Sequence, residues 1–278
     1  MNDLVLVTGG TGKTGRRVAD QLAVAGRDVR IASRSGQQPF DWLDPDTWAT
    51  ALDGVSAVYL VPPPGGDVSA AMIALVQAAM ARGARRFVLL SGSPMPEGGP
   101  GVGQTHHWLR ENTADWAVLR PSWFMQNFSE GQHLTAIRDE GVIYSATEDG
   151  RVPFINAEDI AACAVAALTG PAPLNRDFIL TGPEPISYDM VARHIGEAAG
   201  RPIAHRRVSA EDLAAWYRAI GRPAPLAQML GMMDTMIAAG AEDRLTGGVL
   251  ELTGRPPMDF DAFARANGPL WASALVVS

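Results

Sequence analysis

The stretch Thr8–Gly15 reads TGGTGKTG and carries two phosphate-binding spacings at once. The first is the tail of GxxxxGK[ST], here Gly12-Lys13-Thr14, in which backbone N–H groups cradle phosphates and the lysine reaches the outer ones. That loop needs a leading glycine at position 7, and the chain has Val7 there, inside an apolar run. The second is Gly9-x-x-Gly12-x-x-Gly15. There the first glycine permits a tight turn, the second lets the backbone approach a pyrophosphate, and the third lets a helix pack on a strand. Val7 removes the first reading, and the stretch is read as a dinucleotide turn with Gly9, Thr11, Gly12, Lys13, Thr14 and Gly15 at the ligand.

The choice of dinucleotide is made at the end of the second strand, about 20 residues on, by an acid for a ribose 2′-hydroxyl or an arginine for a 2′-phosphate. The chain reads Ala32-Ser33-Arg34-Ser35 there, without an acid. NADP(H) is the expected cofactor, with Arg34 flanking the adenosine phosphate and Ser33 or Ser35 hydrogen bonding to it. An arginine that merely caps a surface strand is the plainer alternative. Lys13, the only lysine in the sequence, reads equally as added charge near the phosphates or as a solvated residue at a helix start.

Proton chemistry falls to His106 and His107 in GQTHHWLREN, since an imidazole exchanges protons near neutral pH. Against this stands a structural reading: two helix histidines, with His107 paired to Glu111 one turn on. The five histidines show no metal-binding spacing, and no metal is expected.

The elements that must hold these residues are legible as alternating strand and helix patterns. Apolar runs at LVLVT, DVRIASR, SAVYLV, RFVLLS and WAVLR alternate with helical spacing in RRVADQLAVAG, VSAAMIALVQAAMARG and the segment from His106 to Thr113. Buried runs separated by helices require a parallel, doubly wound sheet covered on both faces. After about residue 140 short strands (VIYSA, DFILTG) mix with helices at Ala157 to Leu168, Tyr188 to Ala199 and Ala210 to Ile220. The fold class is therefore α/β, a Rossmann-like doubly wound parallel sheet with a smaller C-terminal α/β region. Residues 1–150 are assigned to NADP binding and 151–278 to substrate binding, without a clean boundary. Methionines in QMLGMMDTMIAAG are read as adaptable packing.

The 278 residues are 47% hydrophobic and 19% charged, with a net charge of −7. That balance suits a packed core and disfavours nucleic acid, whose binders usually leave a basic footprint. No apolar run reaches the roughly 18 residues of a membrane span, and MNDLVLVTGG lacks a basic leader. A cytoplasmic monomer or homodimer is expected, acting on a small molecule and not on a membrane. Cys163, the single cysteine, lies in AEDIAACAVAAL and is read as packing, and Asp159 beside it as charging a helix start. Asn127-Phe128-Ser129 fits a glycosylation sequon that such a location leaves unused.

Four blocks carry a family resemblance: VTGGTGKTGRRV, the segment Val118 to Ala146 containing RPSWFMQNF, VPFINAEDIAACAVAAL, and FILTGPEPISYDMVARHIGEAAGRPI. Through them nearly the whole chain resembles an atypical short-chain dehydrogenase/reductase of the NmrA-like group, and within it the ergot-alkaloid reductases, the festuclavine and agroclavine dehydrogenases. The resemblance implies a Rossmann-like fold, NADP(H) and a small or medium hydrophobic substrate. The wider superfamily uses Tyr-x-x-x-Lys, but residues 63, 148, 192 and 221, four after each tyrosine, are Pro, Glu, Ala and Gly. Hydride delivery to an iminium carbon needs no proton, whereas enone or quinone reduction needs one from a side chain or solvent. The expected activity is an NADPH-dependent oxidoreductase acting on an iminium, enone or quinone group of an aromatic or heterocyclic substrate, in secondary metabolism. A redox-sensing regulator that binds the dinucleotide and acts through a protein partner is the alternative.

Trp123, Phe124 and Asn127 follow the WAVLR strand on the side where ligands bind in such sheets, and are expected to wall the substrate pocket, with core packing as the alternative. Pro62, in VPPPGG after SAVYLV, is placed beside the cofactor, and Ser91 at the end of RFVLLS at the nicotinamide ribose or substrate.

Overall fold

The computed structural model describes residues 4–34, 36, 38–63 and 67–272. The chain runs through β1 (Val5–Thr8), α1 (Lys13–Val24), β2 (Val29–Ser33), β3 (Gln38–Pro39), α2 (Trp48–Leu52), β4 (Ala57–Leu60) and α3 (Ser69–Ala81). It continues through β5 (Arg86–Leu90), α4 (Val102–Asn112), β6 (Trp116–Pro121), α5 (Gln126–Ser129), α6 (Leu134–Glu140), β7 (Val142–Ser145), β8 (Arg151–Val152) and α7 (Ala157–Thr169). The last part holds β9 (Arg176–Leu180), β10 (Ile186–Ser187), α8 (Tyr188–Ala199), β11 (Ala204–Arg207), α9 (Ala210–Ala219), α10 (Ala224–Ala238), α11 (Gly248–Thr253) and α12 (Phe260–Asn267).

Seven strands form one sheet in the order β3-β2-β1-β4-β5-β6-β9. Every pairing in it is parallel. Such strands are buried on both faces, which explains why β4 and most of β1, β5 and β6 are apolar. Strand order reverses beside β1, and in a doubly wound sheet the ligand crevice opens at that reversal, at the carboxyl ends of the strands. The architecture is Rossmann-like α/β.

The chain separates into two compact units. The first comprises the stretch up to Pro121, Ala157–Leu180 and Gly247–Pro256; the second comprises Ser122–Asn156, Thr181–Thr246 and the stretch from Pro257. In place of one division near residue 150, the chain crosses between them repeatedly. DFILTG illustrates the cause. Its alternation identifies a strand but not a partner, and the structure makes it β9, the edge strand of the large sheet beside β6.

The core of the first unit includes Leu6, Val58, Leu60, Met72, Leu75, Phe87, Leu89 and Val118. Cys163 is fully buried there, and burial together with Asp159 pushes its thiol up to about 12, so it stays protonated and inert. Asp159 is itself buried in the first turn of α7, with Arg255 at 3.6 Å.

The second unit pairs β7 with β11 in parallel and β8 with β10 antiparallel. Its core centres on Phe128, with the rings of Phe154, Phe260 and Tyr188 at 5.3, 5.6 and 5.9 Å. Trp271 donates its indole N–H to the Phe128 carbonyl at 2.8 Å. The Ser187 hydroxyl accepts the Met190 N–H to start α8, and Gly200 in the left-handed region ends it.

Three of the four methionines of α10 face solvent, and Met233 is half-buried. Met229, Met232 and Met236 are exposed at 45, 60 and 44%. The buried side is Ala227, Gly231, Asp234 and Ile237. A close approach sets this choice, since a Cβ on Gly231 would stand 2.6 Å from the Ala210 carbonyl oxygen.

Candidate functional site

β1 ends at Thr8, and the φ of +60° at the following Gly9 reverses the chain. Gly12 donates its N–H to the Gly9 carbonyl at 2.9 Å and precedes α1 with no side chain capping the helix start. Helix-start N–H groups form an anion site. Gly15 packs α1 against this turn: a Cβ there would overlap the Gly9 carbonyl and stand 2.8 Å from Gly10 Cα. The Thr8 hydroxyl donates to the Tyr59 carbonyl at 2.9 Å and accepts the Val61 N–H at 2.8 Å, tying the end of β1 to the end of β4.

A cleft of about 460 Å³ opens here. Gly9, Thr11 and Gly12 line it from the loop, Ser33 and Arg34 from the end of β2, and Val61, Pro62 and Pro63 from beyond β4. Six expected cofactor residues, Gly9, Thr11, Gly12, Ser33, Arg34 and Pro62, thus meet in one cavity. Lys13, Thr14 and Gly15 stand behind them as the first residues of α1, and Ser35 lies outside the described residues. Ser91 follows β5, its buried hydroxyl without a hydrogen-bond partner among the described residues.

Sequence reasoning missed the fourth wall, Phe40, Asp41, Trp42 and Leu43. The Phe40 and Trp42 rings meet edge to face at 5.1 Å. The Asp41 carboxylate is turned to its own backbone, accepting the Leu43 N–H at 2.9 Å, while its carbonyl accepts the Trp48 indole N–H at 2.8 Å. The FDWLD sequence was the available signal, but β3 is two residues long and includes Pro39, so it shows no alternation.

The two histidines diverge. His106 is 2% exposed, its ring 5.6 Å from that of Trp116, and Nδ1 has no partner among the described residues. Burial holds its pKa below the usual imidazole value, against the opposing pull of Asp177 and Glu97. His107 is exposed and pairs through Nδ1 with Glu97 at 3.0 Å rather than with Glu111. The Gly98 N–H bonds the Gly103 carbonyl at 2.8 Å, folding the preceding loop over the start of α4 and bringing Glu97 to His107 and Arg110.

In the second unit, Trp123 and Phe124 are half-buried. The Trp123 carbonyl accepts the Ile155 N–H at 2.9 Å, and Trp123 packs against the aromatic core. Asn127 lies in the short α5, its carbonyl accepting the His133 N–H at 3.1 Å.

Another constellation has nucleophile-like spacing: Ser145 Oγ is 2.8 Å from His205 Nε2, and His205 Nδ1 is 3.0 Å from Asp189. Ser145 is fully buried and its hydroxyl also meets that of Thr147 at 2.7 Å. The chain braces β7, β11 and α8 and presents no nucleophile to solvent.

Residues 9–171 match the NAD(P)H-binding family model. Agroclavine dehydrogenase of Claviceps fusiformis is 41% identical over 96% of this chain and 98% of its own length. The uncharacterised oxidoreductase YesF of Bacillus subtilis is 40% identical over 97% of this chain and 96% of its own. Among solved structures, an NADPH-dependent quinone oxidoreductase of Escherichia coli superposes with a TM-score of 0.77 over 95% of this chain and 99% of its own, at 20% identity. The chain belongs to the NAD(P)H-binding family. Within that family it is an oxidoreductase, as its full-length relatives are.

The cleft fits the dinucleotide that defines the NAD(P)H-binding family. A Cβ on Gly12 would stand 3.1 Å from the Gly9 carbonyl oxygen, so a side chain there would crowd the turn over which a pyrophosphate must lie. The buried Ser33 hydroxyl has no hydrogen-bond partner among the described residues, and Arg34 beside it is exposed. Gly9, Thr11, Gly12 and the start of α1 would hold the pyrophosphate, and Ser33 and Arg34 the adenosine ribose and its substituent.

Proposed function

We propose that the protein is an NADPH-dependent reductase that delivers hydride to an iminium, enone or quinone group of a small aromatic or heterocyclic substrate. In this reading the first unit binds the cofactor and the second holds the substrate through Trp123, Phe124 and Asn127. The observation that carries the cofactor choice is the pairing of Arg34 with an unsatisfied Ser33 hydroxyl in the glycine-loop cleft. Asp41, the acid in that cleft, spends a carboxylate oxygen on the Leu43 N–H. The substrate class rests on kinship with the agroclavine dehydrogenase and on the aromatic pair at Trp123 and Phe124.

Bound NADPH supplies the hydride. The protein's part is to hold the pyrophosphate on the α1 start, fix the adenosine end at Arg34 and exclude water from an apolar substrate pocket. No tyrosine is followed four residues on by a lysine. Addition of hydride to an iminium carbon moves the C=N π electrons onto nitrogen and needs no proton. An enone or quinone acceptor takes its proton from solvent in this reading, with His106 against Trp116 and His107 held by Glu97.

Two measurements test the proposal. The purified protein with NADPH and a panel of iminium, enone and quinone acceptors is expected to oxidise the cofactor above background with at least one class. Tight NADPH binding with no turnover across the panel would overturn the activity. Separately, Arg34→Ala is expected to raise the NADPH Kd by roughly 10- to 100-fold, the loss of one charge-assisted phosphate contact, and to leave NADH within about 3-fold. Equal effects on both cofactors would reject Arg34 as the 2′-phosphate contact.

A further inference from the structure

The outer helices of the first unit carry an apolar groove that the dinucleotide cleft does not use. α7 forms its floor, packed on one side by α1 and on the other by α11. The floor presents Ala162 and Ala166, the α1 wall presents Asp20 and Val24, and the other wall presents Leu252 and Arg255. Val24 is 91% exposed, the highest value among the exposed large hydrophobics of the described residues. The groove holds about 480 Å³ and shares no lining residue with the cofactor cleft.

The charges on its rims are opposite and lie on opposite walls. Asp20, on α1, is exposed and makes no ion pair among the described residues. Arg255, just past α11, forms an ion pair at 3.6 Å with the buried Asp159 and is still 56% exposed, which leaves part of its guanidinium open to a second acid. A two-fold axis through α7 would set the α1 wall of one copy against the α11 wall of the other. Asp20 then faces Arg255 of the second copy twice over, and Val24 meets Leu252. A patch that is complementary to itself in this way is what an isologous contact requires, and an exposed aliphatic knob beside a small-residue groove supplies its apolar centre.

We infer that the α1–α7–α11 face is a homodimer interface, with a second copy of this chain as its occupant and Asp20–Arg255 as its reciprocal ion pairs.

Sedimentation equilibrium on the full chain tests it. The wild type is expected to dimerise reversibly. Val24→Arg is expected to be monomeric at the same concentrations while keeping NADPH affinity and thermal midpoint. Asp20→Arg and Arg255→Glu should each raise the dimer Kd at least about 10-fold, and the double variant, which restores opposite charges across the axis, should return to within roughly 3-fold of wild type. A wild type that stays monomeric throughout, or a dimer untouched by Val24→Arg, overturns the assignment. Failure of the double variant to recover, with its melting unchanged, overturns the ion-pair register.

Discussion

Replacing Gly15 with alanine is expected to weaken NADPH binding by about 30-fold or more and to lower the melting temperature by several degrees. The added Cβ meets backbone rather than a yielding side chain. It would overlap the Gly9 carbonyl and stand 2.8 Å from both the Gly9 carbonyl carbon and Gly10 Cα. Relief requires α1 to move off β1 or the turn to open, and either shifts the N–H groups aimed at the pyrophosphate. Overpacking of this kind costs about 1–3 kcal/mol, and 2 kcal/mol corresponds to roughly 30-fold in Kd. Gly26→Ala is the matched control. Gly26 has a φ of +71° and nothing within 4 Å of the added atom, so it strains the end of α1 without touching the loop. Titration of intrinsic fluorescence with NADPH, alongside thermal melts, separates the two. If the variants lose affinity equally, close packing of α1 on the Gly9 turn does not determine binding.

A second large effect is expected at Asp234, on the buried face of α10. The residue is 5% exposed, and burial pushes its carboxyl up to about 7, with the Ala146 N–H at 2.9 Å opposing the shift. In the unfolded chain the group returns to an ordinary carboxylate value near 4. Between those two pH values the folded state keeps a proton that the unfolded state has released. Folding stability from this group is therefore full below about pH 4, falls as pH rises, and is gone above the folded value. Three pK units correspond to about 4 kcal/mol. Asp234→Asn keeps the shape and the acceptor for the Ala146 N–H while removing the ionisation. Urea melts should show the variant more stable than wild type by up to ~4 kcal/mol at pH 8, with the gain shrinking to nothing near pH 4. A gain that does not vary with pH would show that Asp234 is not a carboxylic acid kept neutral by burial.

The large sheet and its glycine loop were readable because their signals are local. A parallel strand buried on both faces must be apolar along its length, as LVLV and AVYL are. The Gly9, Gly12 and Gly15 spacing reflects steric limits within a single strand-turn-helix. The cleft's fourth wall was not readable. Phe40 and Trp42 reach it through a two-residue strand whose pairing with β2, at Ala32 and Ser33, leaves no periodicity in the sequence. The same limit applies to His107. An i+4 rule points it to Glu111, whereas Glu97 arrives through a loop folded back by the Gly98–Gly103 bond. In α10, methionine composition suggested adaptable packing without saying which face is buried. The buried face instead follows from Gly231, which must be small because a carbonyl stands against it.

The interleaving of the two units bears on how the protein is made. As the chain leaves the ribosome, β6 has no outer neighbour until β9 emerges at Arg176–Leu180, and an unpaired edge invites pairing with other chains. α1 likewise waits for α7, its packing partner, which emerges only after the first block of the second unit has been synthesised. A fragment cut after β6 would therefore expose both the sheet edge and the inner side of α1. The glycine loop cannot be transplanted as an N-terminal cassette: a working graft must carry the late-arriving strand and helix with it.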